Sequence, residues 1–465
     1  MTDGKSRLTG ISGLSGVWMW IALATVAGLP YAPLALAADT AEWVQYRGPN
    51  RDNISPETTA WPAKGPKKLW EVNLGGIGYG SLTIAKDRIY TTGNSGKNLS
   101  SATTYCLDAT TGKTLWEYTI NTTKKDVAGV TPSIAGNRVI TAGPGGELAC
   151  LNAETGAVVW EAPLGITQAG IYCYGASPLV HKDKVIVLAG STIRAFALAD
   201  GKELWKTDWM TPPGGGRWAS PVLGTFDGQE TVVCVSRSNM VGLSPADGKM
   251  LWKQDFEKNP NGEDLFNTPT VSGNHIVCIA YRVAGARSTR LTCVEIKNNK
   301  AEQIWKSEIL TGQRSQSPIV RNNCVYLTSD IFPVNTPQDA KGQLICYDLQ
   351  TGKVLWKSNA PQSRGPLPPA GKKIWIDGGA FMMAGDNMII LDGTGHIEMA
   401  NVSAKGCTVL GDADFVDSAL VVSDTASPSG NVLTRSGFQF ITPPLLLNGR
   451  LYVRNHERVA CYNLQ

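Results

Sequence analysis

The sequence predicts an all-β chain, an eight-bladed β-propeller closed by its N- and C-terminal strands. Three observations carry this. An eleven-residue unit ending in Trp recurs along the chain, a Ser/Thr-Pro step opens an apolar strand in most periods, and beyond the N-terminal segment no stretch shows a helical periodicity over ten or more positions.

The unit is clearest from Cys106 to Trp116, where Asp108, Thr111, Gly112 and Lys113 make a turn between two strands. Cys150 to Trp160 and Cys346 to Trp356 match it. Ala195 to Trp205 and Gly242 to Trp252 keep the Asp-Gly-Lys turn, and Cys293 to Trp305 is longer, with Asn298-Asn299 in place of the turn glycine. A degenerate copy, Ala400 to Leu410, has Leu where the others have Trp. With Trp70, the copies end 44 to 54 residues apart. That period, holding only β signals, is one four-stranded propeller blade.

Inside each period the strand order is legible. Thr131-Pro132, Ser177-Pro178, Ser220-Pro221, Thr268-Pro269 and Ser317-Pro318 each precede a short apolar run. Proline at the first position of a strand forfeits no ladder hydrogen bond. A turn such as Gly136-Asn137 or Gly273-Asn274 follows, then a β-branched run, then the strand that enters the Trp unit. The chain ends divide one copy between them: Cys461 to Gln465 supplies five residues and Gly65 to Trp70 the other six. Pairing them in one blade removes the open edges of a ring of sheets.

Residues 1–38 read as a targeting segment. Lys5 and Arg7 precede an uncharged apolar run from Val17 to Leu29, and Ala35-Leu36-Ala37 offers the small residues of a cleavage site. An uncleaved anchor is the alternative. After cleavage no later run is long enough to span a bilayer, so the expectation is an exported protein, periplasmic or extracellular, and not an integral membrane protein. Residues 39–64 form a lead segment and 65–465 the propeller. A formal charge of only +4, with no basic run, speaks against nucleic acid as a partner.

Ten cysteines in an exported chain would ordinarily suggest disulfides. Cys106, Cys150, Cys293, Cys346 and Cys461 occupy equivalent repeat positions, however, and equivalent positions lie a whole blade apart, beyond bridging distance. They are expected to be free and buried. The four His residues have unrelated contexts and no metal-ligand spacing, so no metal site is expected among them.

The pattern A-x-D-x-x-T-G-K-x-x-W resembles the tryptophan-docking motif of pyrroloquinoline quinone (PQQ) type propellers, over roughly residues 43 to 465. That resemblance implies that the Trp of one blade packs on the glycine turn of the next, with Trp70, Trp116, Trp160, Trp205, Trp252, Trp305 and Trp356 structural and Gly112, Gly156, Gly201, Gly248 and Gly352 among the docking glycines. The enzymes of the family, quinoprotein alcohol dehydrogenases, bind PQQ and Ca²⁺ at the propeller axis and use an acidic base. Trp43, Tyr46 and Gly48, followed by Ser55-Pro56, are similar to their opening. The chain has neither an adjacent Cys-Cys pair nor a C-x-x-C-H haem attachment, and it is shorter than they usually are. BamB-like propellers, which help assemble outer-membrane barrels, agree in period and blade count, although they are tethered through a Cys just after the signal and the first Cys here is Cys106. The opening Tyr46-Arg47-Gly48-Pro49-Asn50-Arg51-Asp52 also resembles that of secreted PQQ-like repeat proteins of planctomycete type.

A site in such a ring belongs at the axial mouth, where the segments before the Ser/Thr-Pro steps converge. These bring Tyr79, Tyr174, Arg217, Trp218, Asn267, Arg314 and Gln316 as candidate ligand-binding residues. Aromatics with Arg217 or Arg314 as a clamp would suit a planar anion such as PQQ, while the same residues, hydrogen-bonded across the channel, would merely fill it. Asp377 is the candidate base if the chain is a dehydrogenase. The reading is a binding or assembly scaffold with a protein partner or a small ligand at the mouth; the alternative is a PQQ- and Ca²⁺-dependent alcohol dehydrogenase.

Overall fold

Short strands joined by turns of Asn, Asp, Lys and Gly build antiparallel meanders, their middle strands buried on both faces and their outermost strands on one row. The computed structural model describes Met1 and residues 42–95, 98–122, 127–166, 174–209, 218–236, 238–256, 267–282, 289–309, 316–328, 343–359, 380–391, 396–414, 425–426, 432–433 and 442–465. Among these there is no helix, and the strands form eight blades arranged as a propeller, with one small extra hairpin.

The innermost strands are Thr83–Ala85, Ser133–Ala135, Leu179–His181, Val222–Phe226, Thr270–Ser272, Ile319–Arg321, Ala380–Ala384 and Leu445–Leu447, which define blades 1 to 8 in chain order. The turn after each inner strand demands a left-handed backbone. Lys86 and Asp87 have φ of 49° and 59°, and Asn322 and Asn323 have 50° and 60°, the conformation that lets a two-residue hairpin follow the strand twist.

Blade 8 is made from both ends of the chain. Lys67–Asn73 is its outermost strand and pairs antiparallel with Arg458–Asn463, with Trp70 opposite Cys461. The divided repeat copy is therefore reunited in the expected register.

The turn of the Trp unit explains its own residues. The Asp108 carboxylate accepts from the Thr110 and Thr111 amides at 3.0 and 2.8 Å and from the Thr111 hydroxyl at 2.8 Å, and the Thr111 hydroxyl bond leads the causes that hold its pKa below the usual range. Gly112 closes the turn at φ 75°, which only glycine reaches without strain.

Each docking Trp reaches the next blade. A Cβ on Gly112, Gly156, Gly201, Gly248 or Gly352 would stand 2.5–2.7 Å from the indole of Trp70, Trp116, Trp160, Trp205 or Trp305, respectively. The indole N–H groups donate to carbonyls in the same turns, Trp116 to Ala153 at 3.1 Å and Trp305 to Leu349 at 2.7 Å. Burying an indole removes about 200 Å² from water, worth up to ~5 kcal/mol.

Two indoles depart from the expected glycine docking. Trp252 faces the blade whose turn carries Asn298-Asn299, and its N–H has no partner among the described residues; it lies instead against Gly242 of its own blade. Trp356 donates to the Ser403 carbonyl at 2.8 Å, with no glycine beneath it. Blade 7 carries Leu410 in the Trp position, and in blade 8, which follows it, the two strands of the Trp unit, Arg458–Asn463 and Lys67–Asn73, are not joined by a turn. Trp61, from the lead segment, covers Gly411 of blade 7.

The repeat cysteines sit directly opposite the tryptophans across the ladder: Cys106 with Trp116, Cys150 with Trp160, Cys293 with Trp305 and Cys346 with Trp356. All are buried and free. In blade 4 the position opposite the Trp is Gly242, where a Cβ would stand 2.1 Å from the Trp252 ring.

Candidate functional site at the propeller axis

The Ser/Thr-Pro steps form a belt around the axis. The amide of Ser81 donates to the Thr131 hydroxyl, Thr131 to Ser177, Ser177 to Ser220, Ser220 to Thr268 and Thr268 to Ser317, all at 2.8–3.0 Å. Each link joins one blade to the next, and the hydroxyl satisfies a buried N–H that precedes the ladder. The proline carbonyls that follow point to the axis with no ladder partner of their own.

Four of those carbonyls, of Pro178, Pro221, Pro269 and Pro318, accept from the lead segment, and Pro178 and Pro318 accept also from the Ser133 and Thr270 hydroxyls. Arg51 donates to Ser177 O at 3.2 Å, to Pro221 O at 2.8 Å and to Pro178 O, spanning blades 3 and 4, while its Nε donates to Gln45 at 2.9 Å. Arg47 donates to Pro318 O at 2.8 Å and to the Thr270 hydroxyl at 3.1 Å, spanning blades 5 and 6. Trp43 exchanges two backbone hydrogen bonds with Ile84 of blade 1, and Val44 accepts from Ile134 of blade 2. The Asn53 side chain donates to Phe381 O, and Ile54–Ser55 adds a parallel strand to blade 7 against Met383 and Ala384. The Ser55 hydroxyl donates to Leu446 O of blade 8 at 3.2 Å. Thirteen residues, 43 to 55, thus touch all eight blades.

This segment is strained in a way its contacts over-determine. Arg47, Arg51 and Asn53 have φ of 64°, 57° and 65°, each costing about 1 kcal/mol in a non-glycine residue. Arg47 and Arg51 are 2% and 1% exposed. Burial lowers the pKa of both, Arg51 to about 9, which leaves its guanidinium charged at neutral pH. Burial also raises the Tyr46 phenol, against the pull of Arg47 and Arg51.

A third buried cation closes the seam between blades 8 and 1. Arg454 donates to Thr92 O at 2.6 Å and also to Gly80 O and the Thr91 hydroxyl. Beside it His456 is buried, and burial followed by the Arg454 charge lowers its imidazole to about 3. Tyr79 meets the His456 ring edge-on at 4.9 Å.

The other described candidates stand at the inner-strand entries, each engaged with a neighbouring blade. Tyr174 is buried, its amide donating to Pro144 O at 2.8 Å, and its hydroxyl has no partner among the described residues. Trp218 lies against the backbones of Gly129 and Gly175. Asn267 donates to Gln316 O, both residues being buried. Arg217, Arg314 and Asp377 lie outside the described residues. The sequence reading missed Arg47, Arg51, Asn53 and Arg454; the signal for the first three was the run Arg47 to Asn53, rich in turn-forming residues and with no counterpart in the repeats.

The family model described as outer membrane protein assembly factor BamB matches residues 100–358. The chain belongs to this family. The solved structure of BamB from Moraxella catarrhalis is 17% identical, covering 86% of this chain and 99% of that one at a TM-score of 0.58. Quinohemoprotein alcohol dehydrogenase from Comamonas testosteroni is 15% identical, covering 92% of this chain and 81% of that one at a TM-score of 0.61. The computationally designed Ika8 protein gives 12% identity and a TM-score of 0.52. No curated protein matches. At these identities the structures share the fold, and the fold hosts both scaffolds and enzymes.

A bound PQQ would need free cationic or polar groups for its carboxylates, and Ca²⁺ a set of oxygen ligands. The described axial guanidinium groups are committed to main-chain carbonyls, and among the described residues no three His, Cys, Asp or Glu side chains are gathered for a metal. The described part of the axis does not make up such a site.

Proposed function

We propose that this protein is an exported binding or assembly scaffold at the cell envelope, acting on protein partners in the manner of an outer-membrane assembly factor. One observation carries the reading: the axis is filled by residues 43 to 55 of the same chain, with Arg47 and Arg51 spending their donors on carbonyls of four blades. A filled axis leaves the mouth, built from the connections between blades, as the binding face. Membership of the BamB family and the Ala35-Leu36-Ala37 site support export and an envelope role.

The test pairs a cellular and a biochemical measurement. Loss of the protein should lower the level of outer-membrane proteins, and purified protein titrated with PQQ and Ca²⁺ should show neither a change in quinone absorbance nor dye-linked alcohol oxidation. Alcohol oxidation that depends on added PQQ and Ca²⁺ would establish the dehydrogenase reading instead.

A further inference from the structure

Carbonyl oxygens that converge on an axis are a host for cations, because each presents the negative end of a peptide dipole and none is neutralised by a ladder N–H. In blades 3 and 4 this host is made by Ser177, Pro178 and Pro221, whose oxygens all accept from Arg51. No ion pair to Arg51 is found among the described residues, so its charge rests on these carbonyls and on Gln45. The acceptors come from two different blades and from the lead segment. A planar group with donors spread along its edge meets them all at once, whereas an ammonium is a compact point charge.

We propose that the inner-strand carbonyls of blades 3 and 4 form a guanidinium-binding site, which the chain fills with its own Arg51 and which takes a free guanidinium ion when that side chain is removed. The lead segment is then an intramolecular ligand of the ring, recognised by its Arg51 head as a separate ligand would be. Pro178 and Pro221 suit the site for a chemical reason: lacking N–H, they add no backbone donor beside the cation, and the donor that shares the Pro178 carbonyl with Arg51 is the Ser133 hydroxyl, at 2.6 Å.

The experiment uses the full chain carrying Arg51→Ala. Its thermal midpoint should fall below that of the wild type and rise saturably on addition of millimolar guanidinium sulfate, as mass action requires of a ligand that binds only the folded state. The wild type should not respond. Sodium sulfate, tetramethylammonium sulfate and urea, the neutral molecule of similar shape, should not reproduce the rise in Arg51→Ala. An Arg51→Ala midpoint that ignores guanidinium, or a rise given equally by urea or shared by the wild type, overturns the proposal. If Arg51→Ala does not fold alone, refolding in guanidinium sulfate becomes the readout: recovery of monomer with guanidinium and not with sodium supports the site, and no recovery overturns it.

Discussion

The indole of Trp160 lies against Gly201 of the following blade so closely that a Cβ on the glycine would stand 2.7 Å from two ring atoms, and the indole N–H donates 2.9 Å to the Leu198 carbonyl beside it. Gly201→Ala should therefore combine a left-handed backbone at φ 73° with a steric clash and cost ~2–4 kcal/mol. Gly65→Ala, at the same φ with nothing within 4 Å, should cost only about 1 kcal/mol. Trp160→Ala should cost ~3–5 kcal/mol. Denaturation midpoints decide the matter, and equal losses for the two glycines would mean that the indole contact carries no weight.

The belt of hydroxyls predicts a different pattern. Ser177→Ala leaves the buried Thr131 amide without its acceptor and should cost ~1–3 kcal/mol. Ser177→Thr keeps the oxygen and should recover most of that loss. If threonine is as damaging as alanine, the hydroxyl is not what joins blades 2 and 3.

Acid should weaken the protein through His456. With the folded imidazole at about 3 and the ordinary value at 6.5, the unfolded chain binds the proton first. Its contribution is complete above pH 6.5 and is lost as pH falls toward 3, with a limiting slope of roughly 1.4 kcal/mol per pH unit. His456→Gln should show a shallower decline of its urea midpoint between pH 6.5 and 4 than the wild type, and parallel declines would place the proton elsewhere.

Removal of residues 450–465 deletes two strands of blade 8 and leaves Lys67–Asn73 without a partner. The expected outcome is aggregation and loss of the cooperative transition, because an open edge and apolar residues such as Leu445 and Leu446 are exposed together. A soluble monomer with an unaltered melting curve would show that the ring does not depend on its closing blade.

The five repeat cysteines, Cys106, Cys150, Cys293, Cys346 and Cys461, all buried and free, should stay unreactive toward an alkylating reagent until the chain is unfolded. Burial raises Cys150 and Cys293 to about 12 and Cys461 to about 11, so their thiolates are scarce at neutral pH. Rapid labelling of Cys106 or Cys346 in the native protein would contradict their placement behind the indoles.

The ring was legible because a repeat states the same thing many times. Trp spacing gave the blade, and the divided unit at Cys461 and Trp70 gave the closure. The axis was not legible, since Arg47 and Arg51 belong to no repeat and their acceptors are carbonyls, which every residue possesses. Only the fold decides which carbonyls lose their ladder partners and face inward. The cysteines were recognised as buried, but their opposition to tryptophan depends on the register shift within each Trp hairpin, such as that between Val158 and Trp160, and side-chain pattern alone does not place such a shift.

The Ser55 hydroxyl and its acceptor Leu446 O are separated by 391 positions in sequence. A ribosome delivers residue 55 long before residue 446, so the segment that fastens every blade to the axis is made first and can be fastened last. Until then each meander can form from its own neighbours, but Lys67–Asn73 has no partner. Closure of this ring is an event in time, set by the arrival of Leu446 and of Arg458–Asn463 rather than by the accumulation of blades.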